Sequence, residues 1–466
     1  MDKSIINILK VRDDNQPIRF ERNDSDNTFI MMDMSSVEWC ADGKFDVSDL
    51  RNRIEPWLSS LFQSEHLSLL VGSGLTTAIQ YAACGSANNG MGEVKLISKF
   101  ATQINSKAIE SSVKAGRGDK PNIEDKIRVM CELLRGLEIM GNASEVNELE
   151  NELNKTIEDF TKNISLIENQ IATAPDEKRT EAFNKLILFL MSFASRTGTR
   201  DRLNIFTTNY DRLIEAGADI AGIHLIDRFV GSLSPIFRSS RLDIDMHYNP
   251  PGIRGEPRYL EGVVKYTKLH GSIDWINSND CIRKIGLPFG AEDIDPYLNA
   301  PGFPETPSKI MIYPNASKDR ETAEYPYVEL FRDFAASICR PNSTLVTYGY
   351  GFGDEHINRI IRDMLTIPST HLVVIAFDDS MGRIMKYYYE WGRANQMSLI
   401  IGADIANIDA LVNYYLPKPA IDRTTIRMNE MLKKRYDSQK EETISSESNP
   451  KDEKGESIDD LTAYKC

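Results

Sequence analysis

Residues 67–85 read LSLLVGSGLTTAIQYAACG. Leu67 to Val71 have the length and composition of a strand covered on both faces, and Gly72 ends it. Gly72-Ser73-Gly74 follows, and Thr76 or Thr77 opens a helix that stops near Gly85. Glycines let a backbone approach a phosphate group closely, and a helix N-terminus supplies N–H donors and the positive end of a dipole. The third glycine of a G-x-G-x-x-G fingerprint is missing, so taken alone the stretch reads equally as a plain strand-to-helix turn.

The same grammar recurs along the chain. LNIFTTNYD (203–211), KYTKLHGS (265–272), STLVTYGYGFGD (343–354), HLVVIAFDD (371–379) and SLIIGAD (398–404) each run from an apolar strand into small or polar residues. Helical patterns follow most of them. Strands of this kind alternating with helices predict an α/β fold, a doubly wound, Rossmann-like parallel sheet with helices on both faces. Such sheets bind ligands in the crevice beyond their C-terminal strand ends. The polar candidates sit at those ends: Thr208, Asn209 and Asp211 after the second strand, His270 after the third, and Gly349, Gly351 and Asp354 after the fourth. Singly, each has a plain alternative. Asn209, Asp211 and Asp354 are good helix caps, and a lone histidine is as often a hydrogen-bonded structural residue.

The 466 residues are 41% hydrophobic and 27% charged, the balance of an ordinary soluble protein. A net charge of −14 argues against nucleic acid or anionic membrane binding across the whole surface, so any nucleic-acid contact is expected to be indirect. The N-terminus MDKSIINILKVRDD lacks a signal-peptide core, and the longest apolar run, Leu186–Ala194, is too short to span a bilayer. A cytoplasmic protein is expected. The six cysteines lie far apart with no C-x-x-C pair, which indicates neither a zinc ribbon nor a disulfide framework.

Residues 1–60, with alternating segments SIINILKV and TFIMMDM, are expected to form an N-terminal cap. A domain over 61–435 then carries a helical insertion at 86–198. In it Val146, Leu149, Leu153, Ile157, Phe160, Ile164, Ile167 and Ile171 form an apolar stripe, and a second apolar helix spans Phe183–Phe193. Packing of this insertion on itself is the expectation; an arm reaching another subunit is the alternative. Segments 231–261 and 277–308 read as long loops, candidates for lids. Residues 436–466 carry nine acidic residues against four lysines and read as a disordered tail.

In their order and spacing, Gly72–Gly74, Thr207–Asp211, His270–Gly271 and Gly349–Asp354 resemble the sirtuin-like family. Within it the chain is most similar to divergent bacterial members that hydrolyse NAD⁺ in antiviral defence, often beside a partner ATPase. The resemblance spans about residues 60–416 and is strongest for the last three motifs. It implies the sirtuin-type variant of the fold, with NAD⁺ as substrate cleaved between nicotinamide and ribose. By the same resemblance Gly72, Ser73 and Gly74 line the pyrophosphate, with Thr76 and Thr208 also on the cofactor side. Asn209 orients a water beside the nicotinamide ribose, Asp211 holds the nicotinamide pocket together, and His270 contacts the ribose hydroxyls as general base. Gly349, Gly351 and Phe352 shape the adenosine-ribose side, with Asp378 at a neighbouring strand end.

The departures from that family matter too. Deacetylating sirtuins hold a structural zinc with two cysteine pairs, which this chain lacks; Ser73 stands where a small alanine is usual, and the helical insertion replaces a shorter cofactor loop. No zinc is expected, and hydrolysis is expected ahead of deacylation or ADP-ribosyl transfer. A non-catalytic NAD or nucleotide sensor is the alternative outside enzymes, and the pairing of Asn209 with His270 weighs against it. The implied associations are a homo-oligomer and a HerA/FtsK-type ATPase partner.

Overall fold

The strand His66–Val71 is buried along its whole length, which a strand achieves only inside a sheet covered on both faces. In the computed structural model it lies near the middle of an eleven-stranded sheet. The structure describes residues 6–418 apart from 12–13, 24–27, 33–38, 41, 88–95, 115, 196–200, 249–257, 279–280, 294, 299–309 and 313–324. The tail expected at 436–466 lies outside the described residues.

The sheet strands, in chain order, are β1 (Ile6–Lys10), β2 (Ile18–Asn23), β3 (Thr28–Met31), β4 (Lys44–Phe45), β5 (His66–Val71), β6 (Asn204–Thr207), β7 (His224–Ile226), β8 (Val263–Lys268), β9 (Ser343–Tyr348), β10 (His371–Ala376) and β11 (Met397–Ile401). Their spatial order is β4-β3-β2-β1-β11-β10-β9-β5-β6-β8-β7. From β11 to β7 every pairing is parallel, whereas β1 to β4 extend the β11 edge in antiparallel fashion. The segment read as an N-terminal cap therefore continues the sheet and covers an edge that would otherwise present unpaired backbone.

The helices, again in chain order, are α1 (Val47–Phe62), α2 (Ser73–Cys84), α3 (Ala101–Lys114), α4 (Ile123–Met140), α5 (Ala143–Ala172), α6 (Asp176–Ala194), α7 (Leu213–Ala221), α8 (Tyr327–Ile338), α9 (Glu355–Met364) and α10 (Arg383–Trp391). Alternate residues along each central strand serve opposite faces. Leu69, Val71, Val346, Val373 and Ile375 pack with residues of α1, α2, α6 and α7. Leu70, Leu345, Leu372 and Val374 pack with α8, α9 and α10. The result is the doubly wound α/β fold expected from the strand pattern, with a Rossmann-like layering. Among the described residues no helix is long and apolar enough to cross a membrane.

The insertion is helical, as its periodicity predicts. Leu149, Leu153, Phe160 and Ile164 of α5 share a core with Ile104 and Ala108 of α3 and Ile127 and Met130 of α4. That core also contains Tyr210, Ile273, Ile276 and Leu287, so the insertion packs on the segments that follow β6 and β8 as well as on itself. A buried ion pair fastens the two: Arg212 donates to both oxygens of Glu168 on α5 and to the carbonyls of Leu287 and Pro288.

One correction concerns the two segments expected as loops. A small antiparallel sheet joins Gly271–Ser278 with Cys281–Lys284, Ile310–Ile312, Ile236–Phe237 and Phe229–Val230. Its outer members are two or three residues long, too short to show alternation: Phe229–Val230 and Ile236–Phe237 form a hairpin, and Ile310–Ile312 and Ile236 reach the central strands from far along the chain. A further two-stranded ribbon joins His247–Tyr248 to Arg258–Tyr259.

Candidate active site

From β5 the chain passes to β6 and β8 on one side, then returns to β9, β10 and β11 on the other. The strand order thus reverses between β5 and β9, the position where doubly wound sheets open a crevice. The two glycine turns meet there. Gly72 N–H donates to Tyr348 O at 3.0 Å and Gly74 N–H to Gly349 O at 3.1 Å. A Cβ on Gly74 would stand 2.5 Å from the Gly349 Cα, and one on Gly72 2.4 Å from the Gly349 carbonyl oxygen. Gly349 itself has φ +60°. Backbone lies against backbone, so no side chain can move aside to admit a methyl group. α2 begins at this contact with no side chain capping its first turn, and its positive end faces the cleft.

Beside it, Asn209 and Asp211 are joined through Thr76 on the first turn of α2. Asn209 Nδ2 donates to Gly72 O and to Thr76 Oγ1, each at 3.0 Å. Thr76 Oγ1 donates to Asp211 Oδ2 at 2.7 Å, while Asp211 Oδ1 accepts from Leu213 N–H at 3.1 Å and closes the turn that leads into α7, whose N-cap is Arg212. Because a carbonyl can only accept, Gly72 O fixes which end of the Asn209 amide is the nitrogen. Lys268, buried at the end of β8, donates to the carbonyls of Tyr210 and Asp211 and to Glu215 at 3.2 Å, pinning this turn from below.

His270 follows β8 and Leu269. Its Nε2 is 2.9 Å from Asp354 Oδ2, and Asp354 Oδ1 accepts from His356 N–H at 3.0 Å as the N-cap of α9. Asp354 is thus both cap and histidine partner. The Tyr350 hydroxyl donates its one proton to Asn358 Oδ1 at 2.9 Å, with Asp354 O 3.2 Å away as a second acceptor, which ties the ring to the loop that carries Asp354.

These groups line one cleft, open to solvent, whose walls include Gly72, Ser73, Thr76, Thr208, Asn209, Asp211, His270, Gly349 and Gly351. Of the twelve residues singled out from the sequence, the cleft brings together all but Gly74, Phe352 and Asp378. Gly74 is one residue behind the lining, packed on Gly349. Phe352 is a correction: it is 1% exposed, with its ring among Tyr350, Tyr387 and Trp391, so it anchors the glycine loop from beneath. Asp378 is another. It lies exposed at the end of β10 and turns Oδ1 back to Ser380 N–H at 2.7 Å.

Another wall comes from the insertion, which the sequence places where a shorter cofactor loop is usual, though without saying which of its residues reach the site. Phe160, Ile164 and Ile167 supply an apolar surface, and Glu124 and Arg117 supply charge. Tyr210 donates its hydroxyl to Glu124 at 2.9 Å; burial and that carboxylate push its phenol well above the usual range, so it stays protonated. Arg383, on α10, completes the rim. Asp354 was visible in the sequence as a helix cap, but only its tertiary partner reveals a further role; Arg117, in the turn between α3 and α4, was not singled out there. Among the described residues no group of three or more His, Cys, Asp or Glu is placed to hold a metal ion.

Residues 203–392 match the family model of the SIR2-like domain. That span contains Asn209, His270, Gly349 and Asp354; the glycine turn at 72–74 lies outside it and reaches the same cleft through the sheet. No match to a curated protein was found. The family match supports a place in the sirtuin-like family and an activity that uses NAD.

Proposed function

We propose that this protein hydrolyses NAD⁺ at the nicotinamide–ribose bond, giving nicotinamide, ADP-ribose and a proton. The observation that carries the reading is the convergence on one cleft of an uncapped helix N-terminus behind a glycine turn, a His–Asp dyad and a fixed asparagine amide. Anionic phosphates suit the first. His270 takes a proton from a ribose hydroxyl or from the attacking water, and Asp354 orients the ring and stabilises the imidazolium that results. Asn209 commits its N–H groups to Gly72 and Thr76, and its Oδ1 serves to hold a water for attack on the anomeric carbon. The apolar wall of Phe160, Ile164 and Ile167 excludes bulk water around the departing neutral nicotinamide.

Hydrolysis is favoured over deacylation because the chain has no cysteine pairs for the structural zinc of deacylating relatives. The wider reading, an antiviral effector that depletes NAD⁺ as a cytoplasmic homo-oligomer with a HerA/FtsK-type ATPase, rests on the sequence resemblance. Free nicotinamide released from NAD⁺ by the purified protein tests the chemistry. Wild-type protein without turnover, alone and with such an ATPase, would remove the proposal.

A further inference from the structure

Two guanidinium groups on the cleft rim have no part in the chemistry above. Arg383 donates through Nε to Gly351 O at 2.6 Å and through Nη1 to Gly116 O at 3.2 Å, so backbone carbonyls, which leave its charge unneutralised, hold it in place. A Cβ on Gly351 would sit 3.1 Å from Arg383 Nη2, so the guanidinium lies close against this loop. Arg117 comes from the turn between α3 and α4, with its side chain against Gly353, where a Cβ would meet its Cδ at 3.5 Å. Its carboxylate partner, Asp125, is shared with Arg128, so one negative charge serves two arginines. Glu124 is engaged by the Tyr210 hydroxyl and Asp354 by His270. The bond from Arg383 to Gly116 O, the residue before Arg117, brings the two arginines to the same end of the cleft. Burial and the neighbouring Arg117 charge hold the Arg383 guanidinium below its usual range, a repulsion that an anion between the two would relieve.

We propose that Arg117 and Arg383 form a phosphate clamp, one arm from the helical insertion and one from the sheet domain, that closes over the glycine loop at Gly349–Gly353. Guanidinium pairs bind phosphate through charge-assisted, often bidentate hydrogen bonds. The identity of the ligand rests on the NAD⁺ reading, within which a phosphate has two sources. One is the pyrophosphate bridge, common to NAD⁺ and NADP⁺; the other is the 2′-phosphate of NADP⁺ alone. In either case the clamp makes ligand binding draw the insertion toward the sheet.

Calorimetric titration of the full chain with ADP-ribose and with 2′-phospho-ADP-ribose tests this without turnover, on wild type, Arg117→Gln and Arg383→Gln. A clamp on the bridge predicts that both variants lose about tenfold or more in affinity for both ligands. A clamp on the 2′-phosphate predicts wild-type preference for the phosphorylated ligand, abolished in both variants. Affinities within about twofold of wild type in both variants, or no binding of either ligand by wild type, overturn the proposal. Because Arg383 also supports the Gly351 loop, melting of each variant is followed in parallel. If Arg383→Gln melts early, Arg117→Gln and the salt dependence of wild-type binding decide. Affinity that falls steeply with ionic strength supports the clamp, and salt-independent affinity refutes it. Nicotinamide release fails or succeeds separately from these binding measurements, so the clamp and the hydrolase reading can fall one without the other.

Discussion

Asp354 answers two donors at once, the imidazole of His270 and the first N–H groups of α9. The roles separate on substitution, because asparagine caps a helix about as well as aspartate but cannot stabilise an imidazolium. Asp354→Asn is therefore expected to melt close to wild type while kcat falls by about a hundredfold with KM little changed. An unaltered kcat would reduce Asp354 to a cap. His270→Ala and Asn209→Ala are each expected to lose about a hundredfold or more in nicotinamide release and to stay folded. Gly74→Ala places a methyl group into the Gly349 backbone, so both glycine turns must part. Loss of ADP-ribose binding together with a lowered melting temperature is the expected result, and a variant that binds normally would mean the turns are not rigidly joined. At this scale Asn209, Asp211 and His270 were legible because they follow strand-like runs where a crevice is due. Phe352 misled because a glycine-rich loop near a site suggests contact, whereas its ring supplies the loop's buried footing. Arg117 was not legible, because nothing in a turn 46 residues beyond the first strand says that it folds back over Gly353.

Among the elements, α5 changes most between sequence and structure. Its stripe gave a helix and an apolar face, but not the neighbour that face meets. The neighbour is partly Tyr210, inside the site motif itself. The Glu168–Arg212 pair fixes that docking, and burial pushes the Glu168 carboxyl upward against the pull of Arg212. Arg212→Met strands a buried carboxylate and is expected to cost about 3–5 kcal/mol in denaturant unfolding. Replacing Glu168 by Met as well should recover only part of it, because the Leu287 carbonyl loses the guanidinium and the backbone N–H of residue 212 loses the Glu168 carboxylate. Equal losses in the single and double variants would show that the pair is not what joins the insertion to the sheet. Acid sensitivity arises elsewhere, where α1 meets β10 and β11. His371 shares the Ser398 hydroxyl with Trp57, at 2.8 and 2.9 Å, and burial, with the Lys10 charge, pushes its pKa from 6.5 down to about 4. The unfolded chain then binds the extra proton, so this stabilisation is full above about pH 6.5 and is lost as pH falls toward 4, roughly 3 kcal/mol in all. His371→Gln should flatten the stability profile across that window, and an unchanged slope would exclude His371 as its source. Six of the parallel strands were readable because each is a short run rich in apolar and β-branched residues that ends in small or polar ones, whereas the three-residue β7 was not; the outer strands of the small second sheet have too few residues to show a period.

For the whole molecule, the fold puts every catalytic candidate on a single chain, and the site has two walls, one from the sheet side and one from the helical insertion, which pack on each other through Tyr210, Ile273 and Ile276. A cleft of that construction is open to control by whatever moves the insertion. The resemblance to ATPase-linked defence proteins adds the expectation that assembly is the control. Light scattering with an NAD⁺ assay, with and without the ATPase, is expected to show an oligomer whose turnover changes on partner binding, and a fully active monomer contradicts that. Elemental analysis is expected to find no stoichiometric zinc; about one zinc per chain would restore deacylation as a candidate. The central claim, hydrolysis of NAD⁺ by His270 and its neighbours, is reached most directly by a proton NMR time course. It follows NAD⁺, nicotinamide and ADP-ribose together in the presence of wild type or His270→Ala. The account predicts nicotinamide and free ADP-ribose appearing in equal amounts as NAD⁺ disappears, and neither with His270→Ala. Nicotinamide without matching ADP-ribose would mean transfer to an acceptor, and NAD⁺ persisting unchanged with wild type, with and without the partner, would contradict the account outright.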